Sequence, residues 1–330
     1  MPEITLADVR EAAGRIAASI HRTPLLSCAG LSDAAHCQLW FKCEQFQRTG
    51  SFKFRGACNA VFSLPADALS RGVVTHSSGN HAQAVARAAR LRGAPAFVVM
   101  PRNSARCKEE ATRAYGAEVL HCAATMADRE RVAAEVQRRT GAHLIHPYDD
   151  PRVIAGQGTV GLELLEQLPD VDIVVVPVGG GGLASGVSVA IHALKPTVRI
   201  FAAEPEGAGD AAQSLRSGIL QRCDRPVTIA DGLRAQLSER TFGILRAHLD
   251  SVVLVPEEAI VRAMRQLWER TKWLVEPSAA VAFAALFQPP LDRIRRGQRV
   301  VVILTGGNVD LDRLPWNEGP LTAAGNNLTQ

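Results

Sequence analysis

Lys53 lies in the stretch Gln47-Arg48-Thr49-Gly50-Ser51-Phe52-Lys53-Phe54-Arg55-Gly56, between a short apolar run, Leu39 to Cys43, and a periodic segment, Phe54 to Leu64. The pattern predicts a strand-to-helix junction with Ser51 as the N-cap. A lysine amine can form a Schiff base with a carbonyl, but a lone lysine is ordinarily just a solvated side chain. Two further stretches change that balance. Thr75-His76-Ser77-Ser78-Gly79-Asn80-His81-Ala82-Gln83 follows the apolar run Gly72 to Val74 and forms a polar, glycine-containing helix entrance. Val174 to Val178 reads as a buried strand, followed by Gly179-Gly180-Gly181-Gly182-Leu183 at a helix start. Successive glycines let backbone N–H groups converge on an anion, and the helix N-terminus adds its positive end, so this run predicts a phosphate cradle.

The elements that must position these groups alternate. Strands are predicted at 39–43, 72–75, 96–100, 118–120, 144–146, 172–178, 199–203, 251–255 and 299–304. Helices are predicted at 8–20, 54–64, 82–91, 107–115, 128–139, 160–168, 183–194, 257–271 and 278–287. Such alternation argues α/β architecture, with parallel sheets and helices on both faces. No composition break marks a linker.

With 47% hydrophobic and 21% charged residues among 330, the chain has the composition of a soluble globular enzyme. The net charge of +4 is mild and its basic residues are scattered, so neither a nucleic-acid nor a membrane-surface partner is implied. The N-terminus has no secretory pattern and no apolar run reaches the roughly 20 residues needed to span a bilayer, which predicts a cytoplasmic protein. Seven cysteines without Cys-x-x-Cys spacing suggest reduced packing residues rather than a disulfide framework or zinc site. Residues 317–330 read as a loose polar tail.

Gly50-Ser51-Phe52-Lys53-Phe54-Arg55-Gly56, Ser77-Ser78-Gly79-Asn80-His81, Ala155-Gly156-Gln157-Gly158-Thr159, Gly179 to Gly182 and Thr305-Gly306-Gly307-Asn308-Val309-Asp310 occur in this order. Together they resemble the fold-type II pyridoxal-phosphate (PLP) enzymes, specifically the serine/threonine dehydratase and serine racemase group. The resemblance covers nearly the whole chain. It implies a tryptophan synthase β-like fold of two open parallel-sheet units: a large PLP-binding domain, 1–66 plus 149–330, and a smaller inserted one, 67–148, with the cofactor in the cleft between them. It also implies a homodimer.

By that resemblance Lys53 binds PLP as a Schiff base, is released by the substrate amine and serves as base at Cα. Phe52 adjoins the cofactor, Gly179, Gly180, Gly181, Gly182 and Leu183 hold its phosphate, Asn80 bonds its phenolic oxygen and Thr305 bonds its pyridine nitrogen. Thr305 stands where the family usually has serine and retains the hydroxyl. Ser77, Ser78, Gly79, Asn80 and His81 receive the substrate carboxylate. Ser78 aligns with the serine that faces Cα opposite the lysine in serine racemases, although a serine there can equally be a helix cap. Glu204, the carbonyl of Ala208 and Asp210 match a divalent-cation site for Mg²⁺, Ca²⁺ or Mn²⁺, the alternative being two solvated acids.

The expected reaction is loss of water from a small β-hydroxy amino acid, L-serine or L-threonine, then release of an enamine that hydrolyses to a 2-oxo acid and ammonia. Arg129 falls in the segment that faces the substrate in this family. Its charge either binds a second carboxylate, making 3-hydroxyaspartate the substrate and oxaloacetate the product, or forms a surface ion pair. Serine racemisation is a further alternative. A distant one is a nicotinamide-dependent oxidoreductase, because Gly179-x-Gly181-x-x-Ala184 fits a degenerate dinucleotide fingerprint with Glu204 ending the next strand.

Overall fold

The computed structural model describes residues 4–104 and 106–317. Apart from Asn317, the predicted tail lies outside them. Ten strands are described: β1 (Leu25–Ser27), β2 (Gln38–Cys43), β3 (Val73–His76), β4 (Ala96–Pro101), β5 (Glu118–Cys122), β6 (His143–Leu144), β7 (Ile173–Pro177), β8 (Arg199–Pro205), β9 (Ser251–Val255) and β10 (Arg299–Leu304). They make two sheets, one six-stranded in the order β1-β2-β10-β7-β8-β9 and one four-stranded in the order β5-β4-β3-β6. All strand pairings are parallel except β1 with β2, an antiparallel edge pair that the apolar runs did not reveal.

Side chains alternate across a strand, so a strand buried on both faces must feed two cores. In β7, Ile173 and Val175 enter one core with Phe41, Phe283 and Met264, while Val174 and Val176 enter another with Leu164, Val187 and Ile191. In β10, Val300 and Val302 face the first and Val301 and Ile303 the second. Helices cover each face: Glu257–Thr271 and Pro277–Ala284 on one side, Pro151–Gln167 and Gly182–Leu194 on the other. Parallel strands covered on both faces place their carboxyl ends at a crevice, where open α/β sheets bind ligands.

Behind the Lys53 helix lies a dry charged cluster. Arg55, fully buried, donates from Nε to Glu44 at 2.7 Å and from Nη1 to Glu163 at 2.7 Å, and Lys42 Nζ donates to Glu163 at 2.6 Å. Thr23 donates from its hydroxyl to Glu44 at 2.5 Å. Two cations face two anions, which is what allows four charges to leave water together. The cluster fixes the helix Lys53–Phe62 against β2 and the long helix Pro151–Gln167.

Several boundaries differ from the sequence pattern. The helix expected from Val160 begins at Pro151, with Asp150 as its cap, because the glycines of 156–161 are packed against neighbouring helices rather than ending a loop. Helices Ala29–Ala34, Ala66–Arg71, Asp210–Ser217 and Glu239–His248 carry too few apolar positions to show as periodic segments.

Candidate functional site

Lys53 opens the helix Lys53–Phe62, and the residue before it, Phe52, is the N-cap. Ser51 is therefore not the cap. It is extended, fully buried and paired with Gly306 in an antiparallel bridge, while Phe52 donates its N–H to the Thr305 carbonyl at 3.0 Å. This pairing ties the start of the lysine helix to the end of β10, and so brings Lys53 and Thr305, 252 positions apart in sequence, to one place. Lys53 Nζ donates to the Pro147 carbonyl at 2.8 Å and lies 5.2 Å from the Phe52 ring centre. Burial pushes its pKa down to about 8, against the opposing pull of Glu276.

The Ser77–His81 stretch follows β3 and turns into the helix Asn80–Leu91, two residues earlier than the apolar pattern suggests. Gly79 is the N-cap and donates to the Ser77 hydroxyl at 3.3 Å. Ser78 is half-buried in the same turn. Asn80 donates to Glu276 at 2.7 Å and accepts from Asn308 at 2.8 Å, and Asn308 also donates to the Thr49 carbonyl at 2.8 Å. His81 is buried, its Nε2 lies 3.2 Å from the Ile145 carbonyl, and burial holds the ring well below its ordinary pKa, hence neutral.

The glycine run leaves β7 and enters the helix Gly182–Leu194, with Gly181 in the left-handed region at φ 83°. A Cβ on Gly179 would lie 2.8 Å from the Leu233 Cα and one on Gly182 would lie 2.9 Å from the Tyr148 Cβ, so the loop is walled by its neighbours and no side chain fits. None of the backbone N–H groups of Gly179 to Leu183 has an acceptor among the described residues. Unpaired donors at a helix N-terminus suit a phosphate, and a lysine with a lowered pKa suits an aldehyde, so the residues present fit PLP.

Glu204, at the end of β8, accepts the N–H groups of Ala211 and Ala212 at 2.9 Å each. Burial, with the nearby charge of Asp210 adding, still raises its pKa to about 8, and burial raises Asp210 to about 6. Ala208 lies between them in a 3₁₀ turn. No group of three His, Cys, Asp or Glu side chains able to hold a metal exists among the described residues, so any cation there needs the Ala208 carbonyl or water as well. A dinucleotide site at Gly179–Ala184 would use neither Lys53 nor the Ser77–His81 turn, so the nicotinamide reading leaves most of the site unexplained.

Arg129, on the helix Met126–Thr140, has a buried Nε without a hydrogen-bond partner and forms no ion pair among the described residues. Its guanidinium pKa is lowered chiefly by burial, and the like charge of Arg234 also lowers it. Sequence reading missed Glu276 altogether. It is the N-cap of the helix Pro277–Ala284, yet its carboxyl turns away from that helix to Asn80, and burial raises it to about 7. A Glu-Pro pair ahead of an apolar helix was the one available signal. The Pro147 carbonyl, like any backbone acceptor, has none.

Comparison with known proteins gives the family. Residues 16–306 match the model of the pyridoxal-phosphate dependent enzyme family. The chain is 47% identical to a serine racemase of Arabidopsis thaliana, over 94% of this chain and 94% of that protein. It is 45% identical to a beta-hydroxyaspartate dehydratase of Paracoccus denitrificans, over 95% and 99%. Among solved structures, a T.th. threonine deaminase superimposes with a TM-score of 0.88 at 46% identity, over 93% and 99%. With the family match over 16–306 and these relatives, a lysine held with a lowered pKa and a glycine run of unpaired N–H groups have one reading: this protein belongs to the pyridoxal-phosphate-dependent enzymes of fold type II.

Proposed function

We propose that the protein eliminates water from a small β-hydroxy amino acid, L-serine or L-threonine, and releases an enamine that water then hydrolyses to a 2-oxo acid and ammonia. The observation that carries this reading is the Lys53 amine, held on the Pro147 carbonyl with a pKa brought down to about 8. A base with a pKa near the working pH is available in its neutral form and still returns a proton. When bound, PLP supplies an electron sink for the charge left at Cα. Lys53 takes the Cα proton. Asn80, fixed by Glu276 and Asn308, orients the cofactor ring through its phenolic oxygen, and the Gly179–Leu183 N–H groups hold the phosphate. The Thr305 hydroxyl would be a neutral partner for the pyridine nitrogen, which would favour prompt loss of the β-hydroxyl over spreading the charge. The Ser77–His81 turn receives the substrate carboxylate at a helix N-terminus, with Ser78 able to carry a proton on the opposite face of Cα. Glu204, Asp210 and the Ala208 carbonyl hold a structural divalent cation. Residues 67–148 form the smaller of two domains, and the working unit is a homodimer.

A second reading rests on Arg129, whose half-buried charge has no carboxylate partner among the described residues and has Arg234 as a like-charged neighbour. Two cations without an anion favour a substrate that brings a second carboxylate, 3-hydroxyaspartate. Ammonia release from L-serine, L-threonine and the 3-hydroxyaspartate diastereomers, with Mg²⁺ present, separates the two. Turnover of none of them overturns the proposed reaction. Arg129→Ala is expected to lower hydroxyaspartate kcat/KM by about a hundredfold, roughly the worth of a charge-assisted pair, and serine turnover by less than threefold. Equal losses would remove Arg129 from carboxylate binding.

A further inference from the structure

Lys108, on the helix Arg106–Ala114, reaches across the cleft and donates to Asp231 at 2.5 Å. Its side chain is only 9% exposed, whereas that of Asp231 is 43% exposed. The lysine stem passes directly behind the Ser77–Gly79 turn: a Cβ on Gly79 would lie 3.5 Å from both Lys108 Cδ and Nζ. Asp231 opens the 3₁₀ turn Asp231–Leu233, and that turn is wedged into the other half of the site. Gly232 donates its N–H to the Ser278 hydroxyl at 3.0 Å, two residues beyond Glu276, and the Leu233 backbone walls Gly179. Lys108 and Asp231 also act with opposite sign on the buried Glu276 carboxyl. One ion pair thus joins the turn that carries Ser78 to the wall of the phosphate cradle.

We propose that Lys108 and Asp231 are positioning residues, a latch that fixes the Ser77–Gly79 turn relative to the glycine cradle and thereby sets affinity for the substrate's carboxylate. The proposal rests on that turn receiving the carboxylate, as in the reading above. A shift of about one ångström in a receiving group is enough to cost an order of magnitude in binding or rate. The latch touches the turn and not Lys53, so the loss is expected chiefly in KM.

Lys108→Met, which keeps the stem against Gly79 and removes the charge, and Asp231→Asn are the tests. Each is expected to raise KM about tenfold with kcat changed less than twofold, and the double variant to be no worse than either single one. Amide exchange of residues 77–79 in the substrate-free protein is expected to quicken in Asp231→Asn, a change made on the far side of the cleft. Lys108→Arg keeps the cation and is expected to restore most of the affinity if Lys108→Met fails to fold. Multiplying KM effects, or exchange at 77–79 unaltered by Asp231→Asn, would overturn the latch. The exchange measurement needs no substrate, so quickened exchange beside absent turnover would leave the latch standing and remove the proposed reaction instead.

Discussion

A lysine whose ammonium titrates near 8 is largely protonated at neutral pH yet supplies a usable fraction of free amine, about one part in ten at pH 7 by the mass-action ratio. The sign of the shift follows from burial, which penalises the charged form, and Glu276 offsets only part of it. In protein stripped of PLP, labelling of Lys53 by an amine reagent should therefore rise with pH through a midpoint near 8. A midpoint near the ordinary lysine value of roughly 10.4 would show that the amine is not desolvated. Glu276 is the second residue on which the geometry turns. Its carboxyl, raised to about 7, holds Asn80 from a position 196 residues away in sequence. Glu276→Gln keeps the shape and removes the charge that favours protonated Lys53, so the Lys53 midpoint is expected to fall below 8 in that variant.

At the scale of elements, three helix starts are tied to shared neighbours: Lys53–Phe62 and Gly182–Leu194 through Pro147 and Tyr148, and Asn80–Leu91 through Glu276, which adjoins Gly306 and its bridge partner Ser51. Two of these were legible as glycine-bearing polar entrances after apolar runs. The third was placed correctly, but its supposed Ser51 cap is in fact a bridge to Gly306, because the partner strand lies at the other end of the chain. The glycine entrance tolerates no methyl group. Gly180→Ala would drive a Cβ into the Tyr148 ring and push the loop off its line. At least a tenfold loss of PLP affinity, measured by equilibrium dialysis, is expected. At the β8 end, Glu204 and Asp210 are raised to about 8 and 6, so without a cation the fold favours their protonated forms. That contribution is present at low pH and is lost as pH rises through 6 and then 8. The proposed divalent cation would bind the deprotonated pair, so the gain in Tm from added Mg²⁺ should grow between pH 6 and 8 and vanish in Glu204→Gln. A gain independent of pH or unaffected by Glu204→Gln would place the cation elsewhere.

At the scale of the whole molecule, the alternation of strands and helices was readable because central parallel strands, buried on both faces, appear as continuous apolar runs such as Ile173–Pro177. Charge was the part that could not be read. Lys42, Glu44, Arg55 and Glu163 look like surface residues in sequence, yet they pair in the interior behind Lys53. Nothing local in a sequence announces a partner 108 positions away. Replacing Arg55 by Leu would strand Glu44 without its cation and is expected to destabilise the protein by about 3–5 kcal/mol in a denaturant titration. A loss under 1 kcal/mol would mean that the cluster is not held dry.

The most direct test of the account is the visible absorption spectrum of the purified holoprotein, with borohydride reduction followed by peptide mapping. Expected are a Schiff-base band that borohydride removes, a reduced adduct on the peptide containing Lys53, no band in Lys53→Ala, and a shift when L-serine, L-threonine or 3-hydroxyaspartate is added. A protein that takes up PLP with the adduct on another lysine, or that stays colourless after reconstitution, would contradict it.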